Sequence, residues 1–338
     1  MLGISEWIRL RAAWLQEVLP QAGPHFPCAA TYSNVLRAVD AEQLTQVLMD
    51  LLTRARAADR QPGEQQHVAL DGKTLRGTQG HLAADQQKIH QVSLYETQTG
   101  IVLKEQVVAD KENELSRIQE LLAPEWMAGR IVSADALHTQ HAFCRGVTGA
   151  HGDDVLFAKG NQATLEENVR LFFSEPPADC RDWRIAQTCE KAHGRLEWRT
   201  LVASTELNEF LAQPWHGVAQ VFCLRRRVEK PLYCTQQVVY GLTSLTPAQA
   251  TPERLLELIR AHWAIENRLH WRRDVTLEED ACQVRKGGAP RVLSILNSFL
   301  LALCDCLGVT NVASYMRRVS ASPILALRLF FLSVERIK

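Results

Sequence analysis

Charge of neither sign is in excess, because 38 Lys and Arg stand against 38 Asp and Glu in 338 residues. That balance disfavours a wholly basic nucleic-acid binder. A Cys-x-x-Cys pair is missing, and the nine cysteines are odd in number and scattered. They read as reduced thiols of a cytosol, not as a disulfide frame or a zinc site. Long apolar runs are lacking as well. No stretch reads as a membrane span, and residues 1–20 have neither the apolar core nor the cleavage site of a signal peptide. Gly72-Lys73-Thr74 suggests a nucleotide loop, but the glycine required five residues earlier is His67. No Ser-His-Asp spacing and no cysteine–histidine zinc pattern competes for the chemistry.

What is there begins with an ordinary globular composition, 46% hydrophobic and 22% charged, enough for a sizeable core in one large domain with an appendage or in two domains. Residues 1–60 read as a separate helical region, with amphipathic stretches over 4–19 and 40–57 and a loop over 20–27. Pro62 and Gly63 mark a linker over 61–66. Residues 67–338 read as one main domain. Strands are expected at 67–70, 89–95, 101–108, 131–134 and 155–158, with helices at 113–122, 139–147 and 163–173. Asp71 and Asp135 each follow a short apolar strand, at the carboxyl end where open α/β sheets place ligands.

Three strands followed by alternating helices and strands is the order of a ribonuclease H-like mixed sheet flanked by helices. In that architecture the first and fourth strands are neighbours, so Asp71 and Asp135 come within reach of one metal pair. Residues 180–243 break the alternation with strand-like segments and read as a β-rich insertion ahead of the last helix. That helix is expected to start at Thr251, a capping residue, with Pro252 in its first turn. At about 100° per residue, Glu266 falls within an apolar stripe of Leu255, Leu256, Ile259, Trp263 and Leu269. A glutamate facing inward needs a partner or a metal.

Arg260, His262, Arg268, His270, Arg272 and Arg273 interleave with Trp263 and Trp271, and Arg225, Arg226 and Arg227 form a second basic run. They suit phosphate contact and base stacking; the alternative is a solvated face paired with Asp274, Glu278, Glu279 and Asp280. The glycine of His193-Gly194-Arg195 is explained best by a structural turn, with Arg195 a further phosphate candidate. His138 and His141, at a helix start, read as polar surface.

Five motifs then resemble a known family. They are Val68-Ala69-Leu70-Asp71-Gly72-Lys73, Ser133-Ala134-Asp135-Ala136, Lys159-Gly160-Asn161-Gln162, His193-Gly194-Arg195, and the run from His262 through Glu266 to Trp271. Together they resemble the Asp-Asp-Glu transposases of the H-repeat-associated, ISAs-type bacterial insertion sequences, from about residue 30 onward. The resemblance implies Asp71, Asp135 and Glu266 as catalytic, metal-binding residues. It implies two Mg²⁺, replaceable by Mn²⁺, that cut and join double-stranded DNA at element ends and target. It also implies a homodimer or larger synaptic assembly and a cytoplasmic, nucleoid-associated location. Lys73, Lys159, Arg195, His262, Arg268, Arg272 and Arg273 are the candidate DNA contacts. His262 stands where related transposases have arginine, and Arg273 where they have lysine. The region ahead of Asp71 is short for the family, which leaves two alternatives open: an idle DNA-binding remnant, or a structure-selective nuclease.

Overall fold

Aliphatic runs such as Val68-Ala69-Leu70 and Ile131-Val132 are too short for helices and form the central strands of a mixed sheet. The computed structural model describes residues 1–20, 23, 25–56, 65–76, 89–108, 118, 120–192 and 194–328. They fall into two compact units: Met1–Ala57 with Leu75–Lys88 and Arg272–Lys338, and Ala58–Thr74 with Ile89–Trp271. The chain is a mixed α/β protein.

The second unit is built on strands β1 (Gln66–Thr74), β2 (His90–Glu96), β3 (Val102–Val108), β4 (Arg130–Ala134), β5 (Asp153–Ala158), β6 (Arg184–Ala192), β7 (Arg195–Ser204), β8 (Gln220–Lys230) and β9 (Tyr233–Thr243). They form one nine-stranded sheet in the order β3-β2-β1-β4-β5-β9-β8-β7-β6. β1, β4 and β5 run parallel, and the remaining pairs are antiparallel. The segment expected as an insertion thus joins the main sheet, through Val155 opposite Thr243 and Ala158 opposite Tyr240. β1 is longer than its apolar run. Its pairing with β4 ends at Leu70 opposite Ala134, but β2 supplies partners on to Thr74 opposite His90.

Gly241 marks the joint between the two halves of the sheet. A Cβ there would collide with the carbonyl oxygen of Leu156 and the ring of Phe222, so only glycine fits. Helices α5 (His141–Gly149), α6 (Ala163–Ser174) and α7 (Pro252–His262) complete the unit, numbered after the four N-terminal helices described below. The helix expected at 113–122 and the linker at 61–66 lie mostly outside the described residues. Leu255, Leu256 and Ile259 of α7 pack with Leu201, Phe222 and Phe157 in one buried cluster.

Thr251 caps α7 as its residue type predicts, accepting the Arg254 N–H at 3.4 Å. The α-helical ladder stops at His262, and Ile265–His270 is a π-helical turn in which the Trp271 N–H reaches back to the Glu266 carbonyl. This overturns the 100° count. A five-residue step turns each residue less than an α-helix does, so the apolar stripe drifts. Ile265, Leu269 and His270 are buried, whereas Glu266 is exposed and Trp263 is 49% exposed.

The first unit is helical: α1 (Leu2–Arg9), α2 (Ala12–Val18), α3 (Ala29–Ala38), α4 (Ala41–Ala55), α8 (Ala289–Cys306) and α9 (Val312–Ala321). The expected helix at 4–19 is two helices, and α3 was not anticipated. Asp40 caps α4, accepting the N–H groups of Glu42 at 2.9 Å and Gln43 at 3.1 Å. α8 packs against α3 and α4. It is long and apolar enough to cross a membrane, contrary to the reading of the apolar runs, but 67% of it is buried within the protein. Cys304 and Cys306 are among its buried residues.

Candidate active site

Parallel pairing of Leu70 with Ala134 sets Asp71 and Asp135 at adjacent strand positions. Asp71 is half-buried, and its Oδ1 accepts the Gly72 N–H at 2.9 Å. Asp135 follows the last residue of β4 and caps the turn Ala136–His138, with Oδ1 accepting the Leu137 N–H at 3.0 Å. His138 is buried, not on the polar surface as expected, and its Nε2 lies 3.8 Å from Asp135 Oδ1. The side chain turns inward from the short helical turn that Asp135 caps.

Glu266 arrives from the π-helical turn. Its carboxylate, the carboxylate of Asp71 and the imidazole of His270 offer ligand atoms that all lie within 4.8 Å of one another. Exposure is therefore what brings Glu266 to Asp71: the residue faces the open side of the site, not the core. His270 was expected only among the residues suited to phosphate contact, not as a partner of the acidic residues. The available signal was its spacing four residues after Glu266, which places two side chains together on one helix face. His270 Nε2 is 3.3 Å from Asp71 Oδ2, close enough to pair but not aligned as a hydrogen bond.

Electrostatics divide the two aspartates. Burial works to raise the pKa of Asp71, but the His270 imidazole and the Gly72 N–H outweigh it, so the net shift is downward. Asp135 is shifted upward, first by burial; His138 opposes that shift and the charge of Asp71 adds to it. The residues fit a divalent cation. Two carboxylates supply hard oxygen donors, and both ring nitrogens of His270 are buried with no hydrogen-bond partner among the described residues.

The candidate DNA contacts separate into open and closed groups. Lys159 is exposed at the end of β5, and Trp271 is 52% exposed. Arg268 is half-buried and donates to the Thr97 carbonyl at 2.8 Å. Arg195 pairs with Glu197 at 3.3 Å, and Arg226 pairs with the same carboxylate. Four assignments are corrected. Arg273 is 0% exposed and grips Glu279 at 2.9 Å, with Ser294 and Ser298 beside it, so no phosphate can reach it. Arg272 pairs with Asp305 at 2.7 Å and is largely buried. His262 is buried against Ser133. Lys73 is buried on β1, where pairing with β2 carries it inside the sheet. Of the alternative of a solvated, paired face, the pairing holds for Arg273 with Glu279 but the solvation does not, since both are buried.

Carboxylates gathered from two parallel strands and a later helix define a class. Residues 62–303 match the family described as the transposase DDE domain, and the chain belongs to that family. Its nearer kinship bears out the resemblance read from the five motifs. The H repeat-associated protein YhhI of Escherichia coli K12 is 30% identical over 235 residues, 67% of this chain and 61% of that one. An uncharacterized protein in the dhlA 3′ region of Xanthobacter autotrophicus is 31% identical over 227 residues, 67% of this chain and 75% of that one. The protein YbfL of E. coli K12 is 31% identical over 235 residues and likewise 61% covered, so the chain spans about three-fifths of these two E. coli relatives. Among solved structures, the synaptic complex of piggyBac transposase with hairpin DNA aligns with 77% of this chain and 52% of that one, at TM-score 0.41 and 13% identity. The fold described above rests on its own strand pairing, not on that likeness.

Proposed function

We propose that this chain is the catalytic part of an insertion-sequence transposase, which hydrolyses phosphodiesters at element ends and joins the ends to target DNA. The observation that carries this reading is the meeting of Asp71, Glu266 and His270 beside Asp135, in a chain of the transposase DDE family. The strand order β3-β2-β1-β4-β5 supports a ribonuclease H-like catalytic body, with β6–β9 as its β-rich insertion.

Phosphoryl transfer spreads charge over the phosphate oxygens in an in-line displacement, so positioning and electrostatics do most of the work. A divalent cation, Mg²⁺ or Mn²⁺, would supply Lewis-acid stabilisation of that charge, held by Asp71, Glu266 and Asp135 with His270 as a further donor. Asp71 keeps its charge because His270 and the Gly72 N–H stabilise it. Asp135 takes up a proton more readily while no cation offsets its neighbours. In cleavage, water displaces the 3′ oxygen of the DNA, which leaves as a hydroxyl. In joining, that hydroxyl displaces a 3′ oxygen of the target. Lys159 and Arg268 suit phosphates, and exposed Trp263 and Trp271 suit stacking on a base. The partners are double-stranded DNA and further copies of the chain, in a cytoplasmic, nucleoid-associated setting.

The test incubates purified protein with the DNA flanking its own gene, with and without Mg²⁺. Metal-dependent nicking and joining at the element ends is expected. Cutting with no dependence on end sequence would replace this reading with a structure-selective nuclease, and binding without cutting would leave an idle remnant.

A further inference from the structure

The three elements that carry the acidic residues are tied together by a second set of side chains, none of them acidic. His67 on β1 lies on the same strand face as Asp71, and Ser133 on β4 keeps the same alternation as Asp135. His262 closes α7 one helical turn ahead of Glu266. His67 Nε2 lies 2.8 Å from Ser133 Oγ, and Ser133 Oγ lies 2.9 Å from His262 Nδ1. At the far end, Thr97 Oγ1 lies 3.1 Å from His67 Nδ1 and donates to the His67 carbonyl at 3.2 Å. The backbone carbonyl of the same Thr97 accepts from Arg268, two residues past Glu266. The segment bearing Glu266 is therefore anchored on both sides, by His262 before it and by Arg268 after it.

The hydrogen-bond inventory has one consistent direction. Thr97 spends its hydroxyl proton on the His67 carbonyl, so its oxygen accepts from His67 Nδ1–H. His67 Nε2 is then bare and accepts the Ser133 hydroxyl, and the Ser133 oxygen accepts His262 Nδ1–H. Every group in the chain is buried. Such an arrangement requires a neutral His67, because its Nε2 must accept, while His262 needs only its Nδ1 proton. Burial, the largest cause for each, pushes His67 down to about 3 and His262 down to about 4. A buried polar chain satisfied throughout rigidifies and specifies one arrangement of the elements it joins.

We propose that His67, Ser133 and His262 are positioning residues, a buried strut that fixes α7 on β1 and β4 and so holds Glu266 against Asp71. The inference rests on the reading of Asp71 and Glu266 as cation ligands. Outer partners of this kind set how well ligands are preorganised, and their loss weakens metal binding without removing a ligand.

The test titrates the full-length protein with Mn²⁺, following free Mn²⁺ by its paramagnetic resonance signal, alongside circular dichroism of each metal-free variant. Ser133→Ala and His262→Leu are expected to fold and to bind Mn²⁺ about 10- to 100-fold more weakly. His262→Asn, whose amide nitrogen replaces the Nδ1 donor, is expected to bind close to wild type. Folded Ser133→Ala and His262→Leu variants with wild-type Mn²⁺ affinity would overturn the strut while leaving the site reading intact. Asp71→Asn with unchanged Mn²⁺ affinity would overturn the site reading itself. Should His262→Leu fail to fold, Ser133→Ala carries the comparison, since it deletes a single oxygen. Nitrogen NMR of the unsubstituted protein at pH 6 supplies an independent check. Neutral Nδ1–H tautomers are expected for His67 and His262, and an Nε2–H tautomer at either position or a protonated ring at His67 would overturn the ordered chain.

Discussion

Arg273 carries its charge with no side-chain surface open to solvent, paired to Glu279 and bonded to Ser294 and Ser298. Removing one partner of such a pair strands the other. Arg273→Ala is accordingly expected to lower stability by about 3–5 kcal/mol in urea unfolding. It should leave the salt dependence of DNA binding unchanged. Lys159→Ala reverses the pattern: exposed at a strand end, it should barely alter stability while reducing the slope of log affinity against log salt by about one unit. At the acidic site, Asp71→Asn and Glu266→Gln are expected to abolish Mg²⁺-dependent cleavage. The Mg²⁺-dependent rise in melting temperature should disappear with it, because a ligand stabilises only the state that binds it. A melting scan with and without Mg²⁺ reads the second effect without any DNA present.

Gly241 sits where β9 docks on β5, with Leu156 and Phe222 filling the space a side chain would need. Gly241→Ala overpacks that joint and is expected to cost about 1–3 kcal/mol, measured by chemical denaturation. Elements of this kind were unevenly legible in the sequence. Aliphatic runs ending in aspartate located β1 and β4 and, through them, Asp71 and Asp135. The orientation of Glu266 was not legible, because the step from α to π spacing after His262 leaves no mark in residue type. The full length of the strands over 220–243 was not legible, since Arg225, Arg226 and Arg227 interrupt the alternation that identifies a strand, while pairing across the sheet continues it. His67, Ser133 and His262 are separated by 66 and 129 residues, and no local pattern announces a contact at that range.

For the molecule as a whole, Asp154 gives folding a pH signature. Its carboxyl is buried with Oδ2 lacking a hydrogen-bond partner among the described residues, and burial, the largest cause, raises its pKa to about 7. The unfolded chain releases that proton near the ordinary value of about 4, while the folded chain holds it. Folded protein therefore binds more protons across this window, and the contribution of Asp154, full below pH 4, is lost as pH rises to about 7. Asp154→Asn should gain stability relative to wild type from pH 4 to 7 and hold a constant difference above it, read from unfolding free energies at several pH values. The order of the chain has a consequence in time as well. Glu266 follows every strand of the nine-stranded sheet, and the helix that bears it meets β4 across 129 residues of intervening sequence. During synthesis, domains and their parts fold as they emerge, and contacts between distant residues close last. A ribosome that has made β1 to β9 has produced a sheet holding Asp71 and Asp135 but not yet Glu266, so the nascent protein brings Glu266 to Asp71 only after every strand of the sheet has been made.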